Sequence, residues 1–152
     1  MQADLLDVLT RLASASNIRC MRVTPPFDGL DQFDYGLRKA LDPYFDWQEF
    51  GSLLLQSTPP NTLLFAEGTF ELQFALFRIP DEENAVFMIG PWATAERSEK
   101  SRSWARRHIG EKGDDAVQSY YNGVRILSGS GFQASIVAVV SMMFPLSLIH
   151  IS

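Results

Sequence analysis

The chain is poor in the side chains that most catalytic and metal sites need. Among its 152 residues there are one cysteine, Cys20, and two histidines, His108 and His150. A single cysteine excludes an internal disulfide and a cysteine-based zinc cluster, and it favours a reducing compartment. The motifs HExxH, GxxxxGK[ST], GxSxG and a strand-to-helix GxGxxG are also missing. We therefore predict no metal site, no cofactor and no catalytic residues.

One alternative is that the chain is an enzyme. A dyad of Cys20 and His108 would make the chain a small cytosolic enzyme, provided that the fold brings the two side chains together. Cys20 lies in the middle of a predicted strand, where a small buried cysteine is common. Two carboxylate pairs, at residues 82–83 and 114–115, fall in predicted exposed turns and indicate solvation.

Positive charge is scarce as well. The chain has 13 lysines and arginines against 18 aspartates and glutamates, a net charge of −5. That balance argues against nucleic-acid binding by these residues, because phosphate contacts need clustered cations. Many of the cations lie in residues 97–112, interleaved with glutamates, which is typical of a solvated helix with internal ion pairs. A hydrophobic share of 46% with 20% charged residues is ordinary for one folded domain.

After Arg125 the chain has no charged residue. Residues 132–144 are mostly apolar and predict a helix that packs on a sheet, on a second copy of the chain, or on both. We predict that this helix signals or dimerises through Phe132, Ile136, Val139, Val140 and Met143. A membrane-anchored module is the alternative, although Gln133, Pro145 and several serines count against a span.

The two ends of the chain carry different signals. The N-terminus carries Asp4 and Asp7 and no cationic region, so it is not a secretory signal, and a cytoplasmic protein is expected. Residues 145–152, PLSLIHIS, resemble an unrelated, non-native tail, and we exclude them from the predicted domain, which covers residues 1–144.

Residues 62–92, TLLFAEGTFELQFALFRIPDEENAVFMIGPW, predict a three-stranded antiparallel meander. Gly68-Thr69 suits a two-residue hairpin loop and would pair Glu67 with Phe70. The acidic segment 80–84 predicts an exposed second turn, with Ile79 opposite Ala85. Gly90-Pro91 is expected to end the third strand at Ile89, and Trp92 to fold back on the sheet edge.

This pairing gives the sheet two apolar faces. Leu63, Phe65, Leu72, Phe74, Leu76, Val86 and Met88 are assigned to one face, and Ala75, Phe77, Ile79, Phe87 and Ile89 to the other. Both faces need cover, so helices or long connections should pack on each. The prediction is an α+β fold with an antiparallel sheet and helices on both faces.

The remaining elements follow from spacing and caps. The sequence predicts a helix at 4–15 that ends at Asn17, a strand at 18–23, and a long loop at 27–46 with a helical turn near 37–41. Asp46 should cap a helix at 47–56, with Glu49 in the capping-box position. A polar helix ending near Gly110, a short helix at 114–121 and a turn at Asn122-Gly123 complete the assignment.

A ligand site is predicted on the first face. Its walls would be Phe65, Phe74, Leu76 and Met88, with Trp47 and Phe50 as a lid and Arg78 as an anchor for an anionic or carbonyl group. Two alternatives stay open at this point. Arg78 can sit at the strand end with its charge in water, and Trp47 and Phe50 can be plain core.

Residues 60–127 resemble the amino-terminal domain of bacterial AraC-type transcriptional regulators. The resemblance is carried by Phe77-Arg78-Ile79-Pro80 at a strand end, an acidic turn, Ile89-Gly90-Pro91-Trp92, and Tyr120-Tyr121 before a short loop and linker helix. It implies a PAS- or GAF-like sensory module that binds a small-molecule effector or partner as a homodimer. DNA would be contacted only by a separate helix-turn-helix domain, which is missing from these residues.

Overall fold

The computed structural model describes residues 2–67, 72–93, 103, 106, 107, 110, 124–127, 131–145 and 147–151. Its helices are α1 (Gln2–Ala15), α2 (Leu37–Leu41), α3 (Trp47–Ser57) and α4 (Gly131–Val140), with a 3-10 turn at Leu30–Gln32. Its strands are β1 (Cys20–Val23), β2 (Thr62–Glu67), β3 (Gln73–Arg78), β4 (Val86–Trp92) and β5 (Ser147–Ile151).

The five strands form one sheet in the order β1-β4-β3-β2-β5. The pairs β1–β4, β4–β3 and β3–β2 are antiparallel, and β5 runs parallel to β2 at the edge. The predicted α+β fold with an antiparallel sheet is confirmed.

The second hairpin of the meander has the predicted register. Phe77 lies opposite Phe87, and the Ile79 N–H donates to the Ala85 carbonyl at 3.0 Å. An ion pair between Arg22 of β1 and Glu82 links the turn between β3 and β4 to the edge strand β1.

The predicted register of the first hairpin is wrong. Glu67 lies opposite Gln73 instead of Phe70, and Leu63 lies opposite Phe77. This shift moves Leu63 and Phe65 to the face that holds Ala75 and Phe77. The first four residues of β2 are buried, so the apolar pattern does not distinguish its two sides and cannot fix the register. Gly68-Thr69 lies outside the described residues.

The expected end of β4 at Ile89 is also wrong. Ala75 lies opposite Ile89 and Gln73 opposite Trp92, so β4 holds one extra residue at this point and continues through Gly90-Pro91 as a bulge. Gly90 has a φ of +135°, and a Cβ there would lie 2.8 Å from the Gln73 carbonyl oxygen. Glycine permits both the backbone conformation and the close approach.

The elements before the meander agree with the sequence. α1 ends before Asn17, which has a φ of +58°. The Asp46 carboxylate accepts a hydrogen bond from the Glu49 N–H at 3.0 Å, as the predicted cap of α3 requires. α2 occupies the predicted range 37–41.

The carboxyl-terminal part differs from the prediction. α4 ends at Val140, four residues before the predicted end at Phe144. Residues 141–143 form turns and Phe144 lies in a bend. Residues 147–151, which the prediction leaves outside the domain, form β5 and pair with the edge of β2 from Thr62 to Ala66. An apolar segment next to an open strand edge can satisfy its backbone groups by joining the sheet.

Other predictions fall largely outside the described residues. These include most of the polar helix, although Ser103, Arg106 and Arg107 are helical and Gly110 has a φ of +88°. The short helix at 114–121 and the turn at Asn122-Gly123 are not among the described residues. Ile126 forms a parallel bridge with Ala93. Within the described part of the chain, no helix has the length and apolarity that crossing a membrane requires.

Both faces of the sheet are covered, as predicted. The first core lies under α3 and the segment 27–46, and its buried apolar residues are Val23, Phe27, Leu30, Leu37, Leu55, Leu64, Leu72, Phe74, Leu76, Val86, Met88, Ala93 and Val124. The second core lies under α1 and α4, and its buried residues are Leu9, Ala13, Ile18, Leu63, Phe65, Ala75, Phe77, Ile79, Ala85, Phe87, Ile89, Trp92, Ile136, Val140 and Phe144.

Candidate functional site

The structure brings most of the predicted ligand residues together on the first face of the sheet. Phe74, Leu76 and Met88 belong to the first core, and Trp47 and Phe50 of α3 pack against it. Phe65 does not join them, because it points into the second core. The predicted pocket therefore loses one wall, which is a direct consequence of the wrong register of β2.

A cluster of aromatic rings fills the space between α3 and the sheet. The Phe33 ring stacks on Phe74 with centroids 5.5 Å apart, and its centroid lies 4.9 Å from that of Phe50. Trp47 meets Phe33 edge to face at 5.7 Å and Phe50 at 5.8 Å. These are ordinary distances for packed aromatic pairs. The two residues predicted as a lid thus act as core in the described conformation.

Arg78 is committed to the fold. Its Nε donates to the Thr58 carbonyl at 2.6 Å, its Nη2 donates to the Leu55 carbonyl, and its Nη1 donates to the Glu83 carbonyl at 3.2 Å. The first two acceptors end α3, where helix carbonyls lack partners within the helix and the dipole favours a cation. Arg78 is the last residue of β3, as one of the two readings expects, and it ties this strand to the end of α3.

An open depression lies beside the aromatic cluster, on the outer side of α3. It has a volume of about 380 Å³, and it is lined by Asp42, Tyr44, Phe45, Asp46, Glu49, Phe50 and Leu53. Tyr44 is 95% exposed and Leu53 is 51% exposed. Its lining therefore combines apolar surface with three carboxylates and contains no cation.

The Phe45 ring in the lining of this depression is held by aromatic contacts. It meets Trp47 edge to face at 4.6 Å and Phe50 at 5.5 Å, so it is held by the aromatic cluster behind it. The guanidinium carbon of Arg38 lies 4.9 Å from the centroid of the Phe45 ring, within the range of a cation–π contact.

A second depression, of about 220 Å³, lies at the turn between β3 and β4. It is lined by Pro60, Asn61, Arg78, Ile79, Pro80, Asp81, Glu82 and Glu83. The Arg78 guanidinium is engaged by backbone carbonyls there, and Glu82 pairs with Arg22. The carboxylate pair at residues 82–83 thus lies in a turn, as predicted.

Buried polar atoms without a hydrogen-bond partner occur in Asp34 and in the half-buried Arg19. Asp34 is 3% exposed; its Oδ2 accepts from the Arg38 N–H at 2.9 Å, while its Oδ1 has no hydrogen-bond partner. Burial raises the pKa of this carboxyl above its usual 3.8, against the opposing effects of the Arg38 N–H and charge. Arg19 stacks over the Tyr35 ring at 4.0 Å, and its buried Nε and Nη2 have no partner.

Cys20 is held as a neutral thiol. Burial raises its pKa to about 11, with a smaller opposing effect from the Thr10 side chain. Activated cysteines show the opposite shift, since the thiolate is the nucleophile. His108, its proposed partner, lies outside the described residues, and no group of three or more potential metal ligands occurs among the residues that are described.

The residues predicted for dimerisation face the protein's own core. Ile136 and Val140 are buried in the second core, and Val139 and Met143 pack against it. Phe132 meets Trp92 edge to face at 5.2 Å. The outward side of this segment carries Ala134, Ala138 and Met142, the last of which is 64% exposed.

Sequence reasoning missed the depression on α3 and the part that the segment 27–46 plays beside it. Phe27, Leu30, Phe33, Leu37 and Leu41 all contribute to the first core, and their spacing of three or four residues is helical. Positive φ angles at residues 27, 29, 35 and 36 interrupt any continuous helix. The periodicity could therefore have indicated that this segment packs on the core, although the turns interrupt it.

Comparisons of the chain with protein-family models, with curated proteins and with solved structures give no match. Function is therefore inferred from the residues, their geometry and the resemblance carried by residues 60–127.

Proposed function

We propose that the chain is a cytoplasmic sensory domain of a bacterial transcriptional regulator of AraC type, with a PAS- or GAF-like sheet. In this proposal it binds a small effector or partner without turnover, works as a homodimer, and signals through α4. A net charge of −5 assigns no DNA contact to these residues, so a separate helix-turn-helix domain would make it.

The observation that supports this proposal best is the way β3 joins the two cores. Phe74 and Leu76 point into the first core, while Ala75 and Phe77 point into the second. The Phe77 ring lies 6.0 Å from the Phe144 ring just beyond α4. A change in packing under α3 would therefore displace the segment that follows α4, because packed cores transmit displacement.

The effector is expected to act on the first side of the sheet. That side holds the aromatic cluster and the buried Asp34. A ligand that separates Trp47 or Phe50 from Phe33 would be exchanging one set of aromatic contacts for another. It would thereby reposition α3, which Arg78 links to the end of β3.

The proposal is tested by melting the protein in the presence of single small metabolites. A compound present at about 100 times its Kd should stabilise the native state by about 2.7 kcal/mol, because it binds only that state. Amide hydrogen exchange in residues 131–140 should change when the same compound binds. Phe50→Ala should reduce the stabilisation, whereas Val8→Ala, at an exposed position of α1, should leave it intact.

Two results would contradict the proposal. The first is a broad set of compounds in which none raises the melting temperature. The second is a compound that binds on the first side and leaves exchange in α4 unchanged, since that outcome would separate binding from the signalling helix.

A further inference from the structure

The depression on α3 has a composition that selects its occupant. Tyr44, Phe45 and Leu53 offer apolar surface, and Asp42, Asp46 and Glu49 surround it with negative charge. The lining contains no lysine or arginine. The Arg38 guanidinium lies over the Phe45 ring, and counting this cation against the three carboxylates leaves a local charge of −2. A complementary surface would carry apolar side chains flanked by cations.

The geometry favours a macromolecule over a small ligand. A small molecule is usually bound with most of its surface buried. Here Tyr44 is 95% exposed and Leu53 is 51% exposed, so a small ligand would remain largely in water. Exposed apolar side chains with polar groups around them are instead typical of surfaces that bind other proteins, and an aromatic residue such as Tyr44 often supplies much of the binding energy.

The depression is also fixed in shape before anything binds. Asp42 accepts from the Tyr44 N–H at 3.3 Å, and Asp46 accepts from the Glu49 N–H at 3.0 Å, so the turn leading into α3 is held by its own side chains. Phe45 is held by Trp47 at 4.6 Å. A surface that is already ordered loses little conformational entropy on association.

The surface already binds one cation of its own chain. The Arg38 guanidinium lies over the Phe45 ring, which shows that this ring accepts a positive charge on its face. We propose that the depression on α3 is a docking surface for a basic amphipathic segment of a protein partner. Apolar side chains of that segment would cover Tyr44 and Leu53, and its lysines or arginines would face Asp42, Asp46 and Glu49. This proposal goes beyond the sensory function and does not depend on it.

The test uses the whole chain and a synthetic amphipathic peptide of leucine and lysine, with a leucine and glutamate peptide of equal length as its counterpart. The basic peptide should bind, should shift the amide resonances of residues 42–53, and should bind more weakly as salt rises, because exposed charges are screened. The acidic peptide should not bind.

Matched variants separate this site from general attraction to an acidic protein. Glu49→Lys keeps the cap of α3, since the cap uses only the backbone N–H of residue 49. It should weaken peptide binding about tenfold, the combined effect of a lost attraction and a new repulsion. Glu83→Lys makes the same change of charge at the exposed turn between β3 and β4, outside the lining of the depression, and should weaken peptide binding less than about twofold.

An apolar pair completes the design. Tyr44→Ala should weaken binding about tenfold or more, as expected for a central aromatic residue of an interface. Val8→Ala removes an exposed apolar side chain from α1 and should change little. Circular dichroism melts show whether each variant is folded. If Tyr44→Ala is unfolded, the result for Glu49→Lys tests the proposal.

Several outcomes would overturn the proposal. Equal weakening by Glu49→Lys and Glu83→Lys would show attraction by net charge only. Equal binding of the acidic peptide would show apolar adhesion only. Tetramethylammonium that shifts the same resonances while the peptide does not bind would identify a small-cation site. Self-association that Tyr44→Ala abolishes would identify a second copy of the chain as the occupant.

Discussion

The two sides of the sheet are built differently, although each is closed by helices. The buried residues described in the second core are apolar, and this core lies under two regular helices, α1 and α4. On the first side, cover comes from α3 and the irregular segment 27–46, and the buried polar residues Asp34, Thr58 and Thr62 all lie on this side or at its edge. The depression with its carboxylates lies there too.

This difference indicates a division of labour. An apolar core covered by regular helices contributes stability and leaves few groups that could recognise a ligand. Buried polar groups cost stability unless they are fully paired, and Asp34 has one unpaired oxygen. We therefore expect substitutions in the second core to affect mainly stability, and substitutions on the first side to affect binding and pH response as well.

The largest effect is expected from Phe77→Ala in the second core. Phe77 is 0% exposed, and its ring centroid lies 5.5 Å from that of Phe87 and 6.0 Å from that of Phe144. Removing the ring should lower the free energy of unfolding by about 3–5 kcal/mol, through lost burial and a residual cavity. Urea unfolding measures it. Phe45→Ala, at a half-buried position of the first side, should cost much less, and equal losses would contradict the division.

Arg78→Met should have the next largest effect. It removes the donors that serve the Thr58 and Leu55 carbonyls at the end of α3 while keeping apolar volume. Hydrogen bonds from a charged group are worth about 1.5–3 kcal/mol, so we expect a loss of about 2–3 kcal/mol. Exchange at the end of α3 should accelerate in the same variant.

Arg11→Met is the control for Arg78→Met. Arg11 is an exposed residue of α1 whose Nε lies 3.0 Å from Oδ2 of Asp7. Its removal should cost less than about 0.5 kcal/mol. If the two substitutions lower the free energy of unfolding equally, the link between β3 and α3 contributes no more stability than a surface ion pair.

Gly51→Ala tests how tightly the first side is packed. A Cβ at Gly51 would lie 2.4 Å from Cδ1 and 2.5 Å from Cγ of the Phe27 ring, so the ring would have to move. We expect a loss of about 1–3 kcal/mol in urea unfolding, in spite of the better helix propensity of alanine. Gly131→Ala, where a Cβ meets nothing within 4 Å, should be neutral or stabilising.

The outcome of the sequence predictions follows the same division. Two features that depend on local signals, the Asp46 cap of α3 and the turn between Ile79 and Ala85, were predicted correctly, whereas the end of β4 predicted from Gly90-Pro91 was not. The register of β2 was not, because Leu63, Leu64 and Phe65 are all buried and either side of the strand could face either core.

The candidate site shows the same limit. Phe50, Trp47, Phe74, Leu76 and Met88 could be placed on one side from their spacing, and Phe65 was misplaced with the register. The depression itself depends on where the segment 27–46 folds against α3. That position is set by contacts between distant residues, such as Phe33 with Phe74, which no local pattern specifies.

Asp34→Asn should produce the smallest effect, and its sign depends on pH. The folded carboxyl has a raised pKa, so between 3.8 and that higher value the native state binds more protons than the unfolded state. The contribution of Asp34 to stability is therefore complete at low pH and declines as pH rises through this interval. Asparagine does not titrate, and its side-chain oxygen can still accept from the Arg38 N–H.

The variant should lack this decline, so the difference in melting temperature between variant and wild type should grow in favour of the variant from pH 4 to pH 7. The charge of Arg38 lowers the pKa of the Asp34 carboxyl, so it opposes this decline and cannot be its cause. Asp28→Asn, at an exposed carboxylate of the same segment, is the control. Parallel melting curves for Asp34→Asn and wild type across this range would mean that burial of Asp34 does not perturb its ionisation. The first side would then be as neutral in its pH response as the second core, and the contrast between the two sides would reduce to their packing.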